Sequence, residues 1–207
     1  MIDLYAWTTP NGYKPILMLE ELGAEYRLHP VHLGKDEQHS PEYLRINPNG
    51  KIPALVDEAG TPGEVVVFES GAILIYLAEK FGRFLPASGQ ARASALAWLM
   101  FQMGGVGPMF GQLGHFMMSK EPPEKLEYGL NRYRGETERL YGVLDRRLGE
   151  APFLAGEYGI ADMATFPWAR SFERFGIPRE RFPNVARWLD EVGSRPAVAK
   201  AIATKMA

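Results

Sequence analysis

The chain has 207 residues and a formal net charge of −2, with 46% hydrophobic and 23% charged residues. This composition fits one large domain or two small ones with an ordinary core, so neither disulfides nor a metal are needed to hold the fold. The near-neutral charge argues against a surface for nucleic acid or anionic membranes, which would need a basic stripe. Because there is no cysteine, thiol chemistry would need a sulfur that arrives with the ligand.

The four histidines show no recognisable zinc-binding spacing, so the sequence predicts no metal site. The chain opens directly on a strand pattern at Ile2, without a basic segment, a long apolar run or a cleavage site. We therefore expect a cytoplasmic protein that neither spans nor binds a membrane.

The first part of the chain alternates strand and helix patterns. A short apolar strand leads into a helix with Ile16, Leu19 and Leu22 on one stripe, and Gly23 ends that helix. Two later strands joined by a Gly/Pro turn indicate a hairpin. The predicted order is strand, helix, strand, short helix, strand, strand and helix, over residues 2–7, 12–22, 25–33, 40–46, 52–56, 64–68 and 70–81. This order predicts a small mixed sheet with helices on its faces.

The pattern breaks between residues 82 and 90, where Gly82, Pro86 and Gly89 indicate a linker. Only helical periodicity follows, with a long stripe of apolar residues spaced by three and four. The predicted helices cover residues 91–101 (continuing toward 116), 126–148, 160–175, 185–192 and 197–205. The sequence thus predicts an α/β domain at 1–81, a linker at 82–90 and an all-helical domain at 91–207.

The segment 98–116 contains five glycines and one proline inside a helical pattern. Each glycine costs a helix roughly 1 kcal/mol relative to alanine, so this segment should be weakened and kinked. Glycines at such a cost indicate close approach of the backbone to a neighbour. The neighbour is either a ligand or a packed helix at a dimer or domain contact, and the sequence leaves both open.

The turn Thr9-Pro10-Asn11-Gly12 connects the first strand to the first helix. A thiolate bound there would accept hydrogen bonds from the hydroxyl and amide groups and meet the positive end of the helix dipole. Lowering a thiol pKa from about 8.5 by two units needs about 2.7 kcal/mol of preferential thiolate stabilisation. One or two charge-assisted hydrogen bonds, at about 1.5–3 kcal/mol each, supply this amount. The alternative is a plain capping turn.

Two further segments suit an anionic peptide. At Glu69-Ser70-Gly71, a helix N-terminus offers N–H groups and a hydroxyl to a carboxylate, while Glu69 can pair a neighbouring amine. Simple N-capping by Ser70 is the alternative. At Ile52-Pro53, a cis bond would let the Ile52 backbone pair with an extended peptide. Only about 5–6% of X–Pro bonds are cis, so the local sequence favours trans.

In this order and spacing, these segments resemble the glutathione transferases along nearly the whole chain. The superfamily likeness is carried by Asn47-Pro48-Asn49-Gly50-Lys51-Ile52-Pro53, Glu69-Ser70, Gly159-Ile160-Ala161-Asp162 and Ser194-Arg195-Pro196. The chain is most similar to the nu class, the bacterial disulfide-bond reductase branch. That likeness is carried by Met1-Ile2-Asp3-Leu4-Tyr5, Thr9-Pro10-Asn11-Gly12, the run 68–74, the glycine-rich run 102–112, and Arg132-Tyr133 with Glu136-Thr137.

The resemblance implies a thioredoxin-like α/β N-terminal domain, an all-α C-terminal domain and glutathione as cosubstrate, either reduced or oxidised. It implies that Pro53 is cis, against the base rate. Ile52 would then hold the cysteinyl backbone of glutathione. Glu69 and Ser70 would hold its γ-glutamyl head.

The resemblance extends to the other end of the ligand and to its sulfur. Gln38 and Lys51 would lie near the glycyl end, and Thr9 and Asn11 would face the sulfur as the catalytic pair. In the nu class an arginine from the second subunit reaches glutathione, and Arg132 matches that position. The alternatives for Arg132 are a solvated helix face or a salt bridge on its own helix.

Two departures from the family pattern are visible. Many members activate the thiol with a Tyr, Ser or Cys near the first strand, but this chain has no Cys and Tyr5 falls inside the strand. Thr8 is therefore a rival to Thr9. The helix-capping box begins with Gly159 instead of Ser or Thr, although Asp162 can still reach back to the backbone.

The main functional prediction is a homodimeric, glutathione-dependent disulfide reductase, an oxidoreductase of a transferase family that uses no protein nucleophile. A second hypothesis is conjugation of glutathione to hydrophobic electrophiles. The second-substrate pocket would be formed by Met103, Met109, Phe110 and Phe116. A third hypothesis is a non-catalytic glutathione-binding protein.

Overall fold

A computed structural model describes residues 1–206. The strands in this range are β1 (Ile2–Ala6), β2 (Tyr26–Pro30), β3 (Ala54–Asp57) and β4 (Val65–Phe68). The helices are α1 (Pro10–Leu22), α2 (Pro41–Ile46), α3 (Ser70–Phe81), α4 (Gly89–Phe101), α5 (Gly107–Met118), α6 (Pro123–Glu150), α7 (Ile160–Ala169), α8 (Phe172–Phe175), α9 (Pro183–Gly193) and α10 (Pro196–Ala203). Short 3₁₀ turns cover Leu33–Lys35, Glu37–His39 and Arg179–Arg181, and a π-helical turn covers Gln102–Val106.

The described chain divides into two compact units. The first contains Met1–Ala87 and the described residues from Ser194 onward, and the second contains Ser88–Gly193. The first unit is α/β and the described part of the second is helical apart from turns and one isolated bridge, which confirms the predicted fold class.

The sheet of the first unit has the strand order β2-β1-β3-β4. β1 is parallel to β2 and antiparallel to β3, and β3 is antiparallel to β4, so the predicted hairpin is confirmed. β1 and β4 consequently run in the same direction. The helices that follow them, α1 and α3, therefore begin at the same edge of the sheet.

Helix α1 is the central helix of the first unit. Its residues Pro15–Leu19 are all buried, and the helix contacts β1, α3 and α10. A helix with apolar residues on all sides is stable only when it is covered on all sides.

Helix α10 belongs to the first unit, whereas the sequence prediction assigned residues 91–207 to the helical domain. Arg195 forms a bidentate ion pair with Glu21, with nitrogen–oxygen distances of 2.6 and 2.9 Å. Lys200 pairs with Glu20 at 2.7 Å. Both acidic partners are at the end of α1, so α10 belongs to the first unit by packing although it is distant in sequence.

The second unit is built around aromatic residues of α6. Tyr141 is fully buried and stacks on Phe172, with 4.3 Å between ring centroids, and on Phe182 at 5.4 Å. The predicted single helix over 160–175 is wrong, because the chain breaks into α7 and α8. The Tyr141 hydroxyl donates to the Ala169 carbonyl at 2.8 Å and so satisfies a carbonyl at the point where α7 ends.

The glycine-rich segment is irregular, as predicted: a π-helical turn lies between α4 and α5. A Cβ on Gly107 would lie 2.8 Å from Gln102 Nε2, and one on Gly111 would lie 3.3 Å from the Trp168 ring. These two glycines therefore let α5 and the π-helical turn pack closely within their own unit, a contact that is neither a ligand nor a dimer or domain contact.

Candidate functional site

Three segments of the first unit meet at one edge of the sheet. In the register of the sheet, Tyr5 of β1 lies opposite Ala54 of β3, and Ala54 lies opposite Phe68 of β4. α1 begins just beyond the end of β1, α3 begins just beyond the end of β4, and the Ile52–Pro53 bond lies just before β3. The topology therefore brings the three predicted binding segments together.

Thr9 is the N-cap residue of α1. Its Oγ1 accepts a hydrogen bond from the Gly12 N–H at 3.2 Å, so the capping interpretation is confirmed. Gly12 is required here, because an added Cβ would lie 2.0 Å from the Trp7 carbonyl oxygen. Thr9 and Asn11 are both partly exposed at the start of this helix, whereas Thr8 is exposed before it. Tyr5 lies within β1, as predicted, and its ring stacks on His29.

Glu69 forms the one-residue turn between β4 and α3. Its backbone has φ 71° and ψ 118°, a conformation that costs a non-glycine residue about 1–3 kcal/mol. The Glu69 side chain is exposed and makes no capping hydrogen bond. Ser70, the first residue of α3, is buried. A strained turn therefore presents a carboxylate beside the N–H groups of a helix start.

Lys14 lies beneath this turn. Its side chain projects from α1, is 1% exposed, and donates a hydrogen bond from Nζ to Ser70 Oγ at 3.2 Å. Burial lowers the pKa of Lys14 from 10.5 to about 7, while the nearby Glu69 carboxylate acts in the opposite direction. The starts of α1 and α3 are thus joined by a buried amine.

The turn before β3 is fixed by two buried side chains. The Tyr43 hydroxyl and the Asn47 amide both donate to the Lys51 carbonyl at 2.6 Å, and Asn47 Oδ1 accepts from the Asn49 N–H at 2.9 Å. The Lys51 side chain is exposed, and the Ile52–Pro53 bond is cis, as the family resemblance implied.

Gln38 lies against the same turn. A Cβ on Gly50, which has a φ of +62°, would lie 3.4 Å from the Gln38 carbonyl oxygen. The Gln38 side chain is 9% exposed and donates to Asp36 Oδ1 at 3.2 Å. Its buried Oε1 accepts no hydrogen bond from the described residues. Gln38 and Lys51 therefore lie in adjoining segments; that both serve the glycyl end of glutathione stays a prediction.

Arg132 lies in the second unit, on the exposed face of α6. It lines an open groove of about 450 Å³ together with Met109, Tyr128, Asn131, Tyr133, Gly135 and Glu136. Glu136 pairs with Arg139 in a bidentate ion pair at 2.7 and 2.8 Å, which holds the pKa of Glu136 below its usual value against the effect of burial. No salt bridge joins Arg132 and Glu136 among the described residues, although the Arg132 charge also contributes to the lowered pKa of Glu136.

The predicted second-substrate residues have different environments. Met109 lines the groove beside Arg132, and Met103 and Phe116 are partly exposed. Phe110 is fully buried against Tyr141 and Phe175, with ring-centroid distances of 4.7 and 5.6 Å. The prediction that Phe110 lines a pocket is therefore corrected: its ring is part of the core of the helical unit.

Sequence reasoning missed Lys14 and gave no role to Tyr43. A signal for Lys14 was present, because the five residues after it, Pro15–Leu19, are apolar on all sides of the helix. The signal for Tyr43 was weaker, since a tyrosine in a short helix most often packs for area alone.

Neither a metal cluster nor a membrane span is visible in residues 1–206. No group of three or more His, Asp or Glu side chains in that range could hold a metal ion. None of its helices combines the length and apolar character needed to cross a bilayer.

The fold and the sheet-edge geometry define a class of protein: a thioredoxin-like α/β unit with a cis-proline before its third strand, accompanied by an all-helical unit. The sequence models of the glutathione S-transferase N-terminal and C-terminal domains match residues 1–79 and 127–191. Together with relatives well above 30% identity over nearly the whole chain, these matches show that the chain belongs to the glutathione S-transferase family.

Two curated relatives come from Escherichia coli strain K12. The chain is 49% identical to disulfide-bond oxidoreductase YfcG, over 98% of this chain and 94% of that protein. It is 42% identical to disulfide-bond oxidoreductase YghU, over 96% of this chain and 73% of that protein.

Solved structures agree with this assignment. A glutathione transferase from Pseudomonas putida, with one glutathione disulfide bound per subunit, matches with a TM-score of 0.91 and 43% identity, covering 98% of this chain and 90% of that one. A family member from Pseudomonas fluorescens, with two glutathione molecules bound, matches with a TM-score of 0.89 and 44% identity, covering 97% and 92%.

Proposed function

We propose that this protein is a glutathione-dependent disulfide-bond reductase of the nu class. The observation that carries the proposal is the convergence of Thr9, Ile52 and Ser70 segments at one sheet edge in a chain without cysteine. Two relatives named as disulfide-bond oxidoreductases and neighbours solved with glutathione or its disulfide support it. Because reduced glutathione is the reductant, we propose the reducing cytoplasm as its location.

The first unit would bind glutathione along the sheet edge. The exposed Glu69 carboxylate suits the γ-glutamyl amine, and the Ser70 hydroxyl with the start of α3 suits the neighbouring carboxylate. The Ile52 backbone would pair with the cysteinyl residue. The exposed Lys51 and the buried Gln38 would lie at the glycyl end.

The start of α1 would stabilise the thiolate. The Thr9 hydroxyl oxygen already accepts from the Gly12 N–H, so its own hydrogen can be donated to a sulfur. Asn11, in the first turn of the same helix, would add an amide donor. Two charge-assisted hydrogen bonds and the helix dipole together suffice to lower the thiol pKa by about two units.

The reaction balances without a protein nucleophile. The glutathione thiolate attacks one sulfur of the substrate disulfide, forms a mixed disulfide and releases the other sulfur as a thiolate. A second glutathione thiolate then attacks the glutathione sulfur of the mixed disulfide. Oxidised glutathione and the second substrate thiolate leave, and solvent protonates the released thiolates.

We propose that the protein acts as a homodimer in which Arg132 reaches the partner's glutathione. Arg132 is exposed on α6, and although its charge acts on Glu136, the carboxylate of Glu136 is held by Arg139, so the Arg132 guanidinium would be able to meet an anionic ligand outside its own unit. Arginine suits this task because its fork binds carboxylates in a bidentate manner.

Conjugation of glutathione to electrophiles is the second candidate, and Met109 in the groove is the observation that favours it. Disulfide reduction and conjugation are distinguished by comparing activity with two substrates. Hydroxyethyl disulfide reduction, coupled to glutathione reductase, should exceed activity with chlorodinitrobenzene. The reverse order would favour conjugation, and glutathione binding without turnover on either substrate would favour a non-catalytic binding protein.

The catalytic residues are tested with three single variants. Thr9→Ala and Asn11→Ala should each lower disulfide turnover about tenfold or more, because each removes a hydrogen bond worth about 1.5–3 kcal/mol to a charged group. Thr8→Ala is the matched control, since Thr8 is exposed outside the helix. Full activity in both Thr9→Ala and Asn11→Ala would refute the thiolate site, and loss in Thr8→Ala alone would move the role to Thr8.

A further inference from the structure

The buried amine of Lys14 is the strongest polar feature of the first unit that the proposed reaction does not use. It lies on α1, one turn beyond the predicted thiolate residues, and contacts the first residue of α3. A buried lysine is costly, because desolvation disfavours its charged form. An apolar residue of similar length would fill the same space without that cost.

The geometry gives the amine a defined effect on Ser70. Lys14 Nζ donates to Ser70 Oγ, so one lone pair of that hydroxyl is occupied from beneath. The hydroxyl hydrogen is then directed away from the ammonium toward another acceptor. At the start of α3 the N–H groups already favour an anion, and a cation buried directly behind them strengthens that preference.

We propose that Lys14 is a positioning residue for glutathione, whose buried ammonium orients the Ser70 hydroxyl and supplies the charge that the γ-glutamyl α-carboxylate meets. This inference rests on the proposed glutathione site at Ser70. It assigns the recognition of the carboxylate to a residue that need not touch the ligand. It also predicts that binding is coupled to the protonation of Lys14.

Ionisable groups lie on α1 and on the elements packed against it. The charge of Glu69, on the turn into α3, acts on Lys14. Tyr5 of β1, Tyr13 of α1 and Glu79 of α3 are the further ionisable side chains of these elements. Ion pairs join Asp3 with Arg27 and His29, Asp57 with Lys80, Glu21 with Arg195, and Glu20 with Lys200, and Tyr76 donates to Asp57.

The direction of the pH effect follows from the lowered pKa of Lys14, about 7 in the free protein. A bound carboxylate favours the charged amine, so binding raises this pKa and takes up a proton. The uptake should be less than one proton per site near pH 7, and it should increase toward pH 8. Affinity should correspondingly fall as the pH rises from 7 to 8.

Calorimetry with S-methylglutathione tests this coupling, because the blocked thiol cannot titrate. The binding enthalpy is measured in buffers of different ionisation enthalpy, and its slope gives the protons taken up. Lys14→Met should abolish the uptake and weaken binding about tenfold. Lys200→Met, which removes an exposed amine on α10, is the matched control and should leave both unchanged.

A glutathione analogue shows whether Lys14 positions the ligand or only supports the fold. An analogue in which 4-aminobutyrate replaces the γ-glutamyl residue lacks only the α-carboxylate. Lys14→Met should bind this analogue as the unmodified protein does. In turnover, the variant should raise the KM for glutathione about tenfold and leave kcat within about twofold.

The outcomes distinguish this inference from the proposed function. If the unmodified protein fails to bind S-methylglutathione, the glutathione site itself is wrong. If it binds without proton uptake, or if Lys14→Met keeps the same uptake and affinity, the role of Lys14 is overturned. The measurement on the unmodified protein needs no variant, so it decides the question even if Lys14→Met folds poorly.

Discussion

Each of the two units buries an ionisable side chain beside the start of a helix, but the two side chains are held differently. In the second unit, Asp162 is fully buried and accepts hydrogen bonds from the Leu154 and Gly159 N–H groups at 3.1 Å and from Trp188 Nε1 at 2.9 Å. In the first unit, Lys14 donates to Ser70, a residue that we assign to ligand binding.

The difference separates a structural charge from a functional one. The partners of Asp162 are two backbone groups and a core tryptophan, so its hydrogen bonds join a loop, a helix start and α9. The hydrogen bond of Lys14 leads to the sheet edge where the binding segments meet. Burying an ionisable group is costly in both places, but the hydrogen bonds of Asp162 hold the fold of one unit, while that of Lys14 prepares a binding site in the other.

The largest expected effect is that of removing the Asp162 carboxylate. Asp162→Ala leaves three buried N–H donors unsatisfied, which should cost at least about 3 kcal/mol of unfolding free energy. Urea denaturation measures this loss. Asp190→Ala, at an exposed ion pair with Arg179, is the matched control and should change stability by less than about 1 kcal/mol. A loss for Asp162→Ala as small as the control's would contradict its structural role.

The pH dependence of Asp162 should be opposite to that of an ordinary paired carboxylate. Burial raises the pKa of Asp162 to about 6, although its N–H donors oppose the shift. Its contribution to stability is therefore fully present below the unfolded pKa of about 4 and is lost as the pH rises through 6. Relative to Asp162→Asn, the unmodified protein should lose stability across this window; a gain across it would contradict the raised pKa.

The second effect concerns Arg132, the exposed cation of the second unit. Arg132→Gln should raise the KM for glutathione about fivefold, since an exposed ion pair contributes up to about 1 kcal/mol, and should leave stability unchanged. Arg139→Gln is the matched control on the same helix. It loses only the ion pair with Glu136 and should keep the KM of the unmodified protein.

Mixed dimers sharpen the test of Arg132. If Arg132 serves the partner's site, a dimer of one Thr9→Ala subunit and one Arg132→Gln subunit contains one intact site. Co-expressed variants should then exceed the mean activity of the two separate variants. Activity equal to that mean would show that Arg132 acts within its own subunit or not at all.

Features set by local turn chemistry were predictable from the sequence. Residues 70–81 were predicted as a helix and form one with those bounds, because Glu69-Ser70-Gly71 starts it and Gly82 ends it in a left-handed conformation. The hairpin followed equally from the turn between its strands. The order of these motifs was also sufficient to identify the family resemblance.

Features set by distant packing were not predictable. Phe110 was predicted to line a pocket, but its ring packs against the rings of Tyr141 and Phe175, and no local pattern distinguishes a core aromatic from a pocket aromatic. At the break after Ala169, the Ala169 carbonyl accepts from Tyr141, which is 28 residues away in sequence. The burial of Lys14 could be read from the apolar residues that follow it, but its partner could not, since Ser70 is 56 residues away.

A smaller effect on stability than that of Asp162→Ala is expected at the strained turn of the first unit. Glu69→Gly should relieve the positive φ and leave the protein as stable as Glu69→Gln or more stable by up to about 1 kcal/mol, because glycine adopts this conformation readily. Both variants lose the carboxylate, so both should bind glutathione about tenfold more weakly. Thermal unfolding of the two variants measures the effect of the backbone conformation on stability. Binding calorimetry measures the contribution of the carboxylate to glutathione affinity. If Glu69→Gly were less stable than Glu69→Gln, the backbone at residue 69 would not be strained. The binding site of the first unit would then not differ at this residue from the core of the second unit, where the buried groups stabilise the fold.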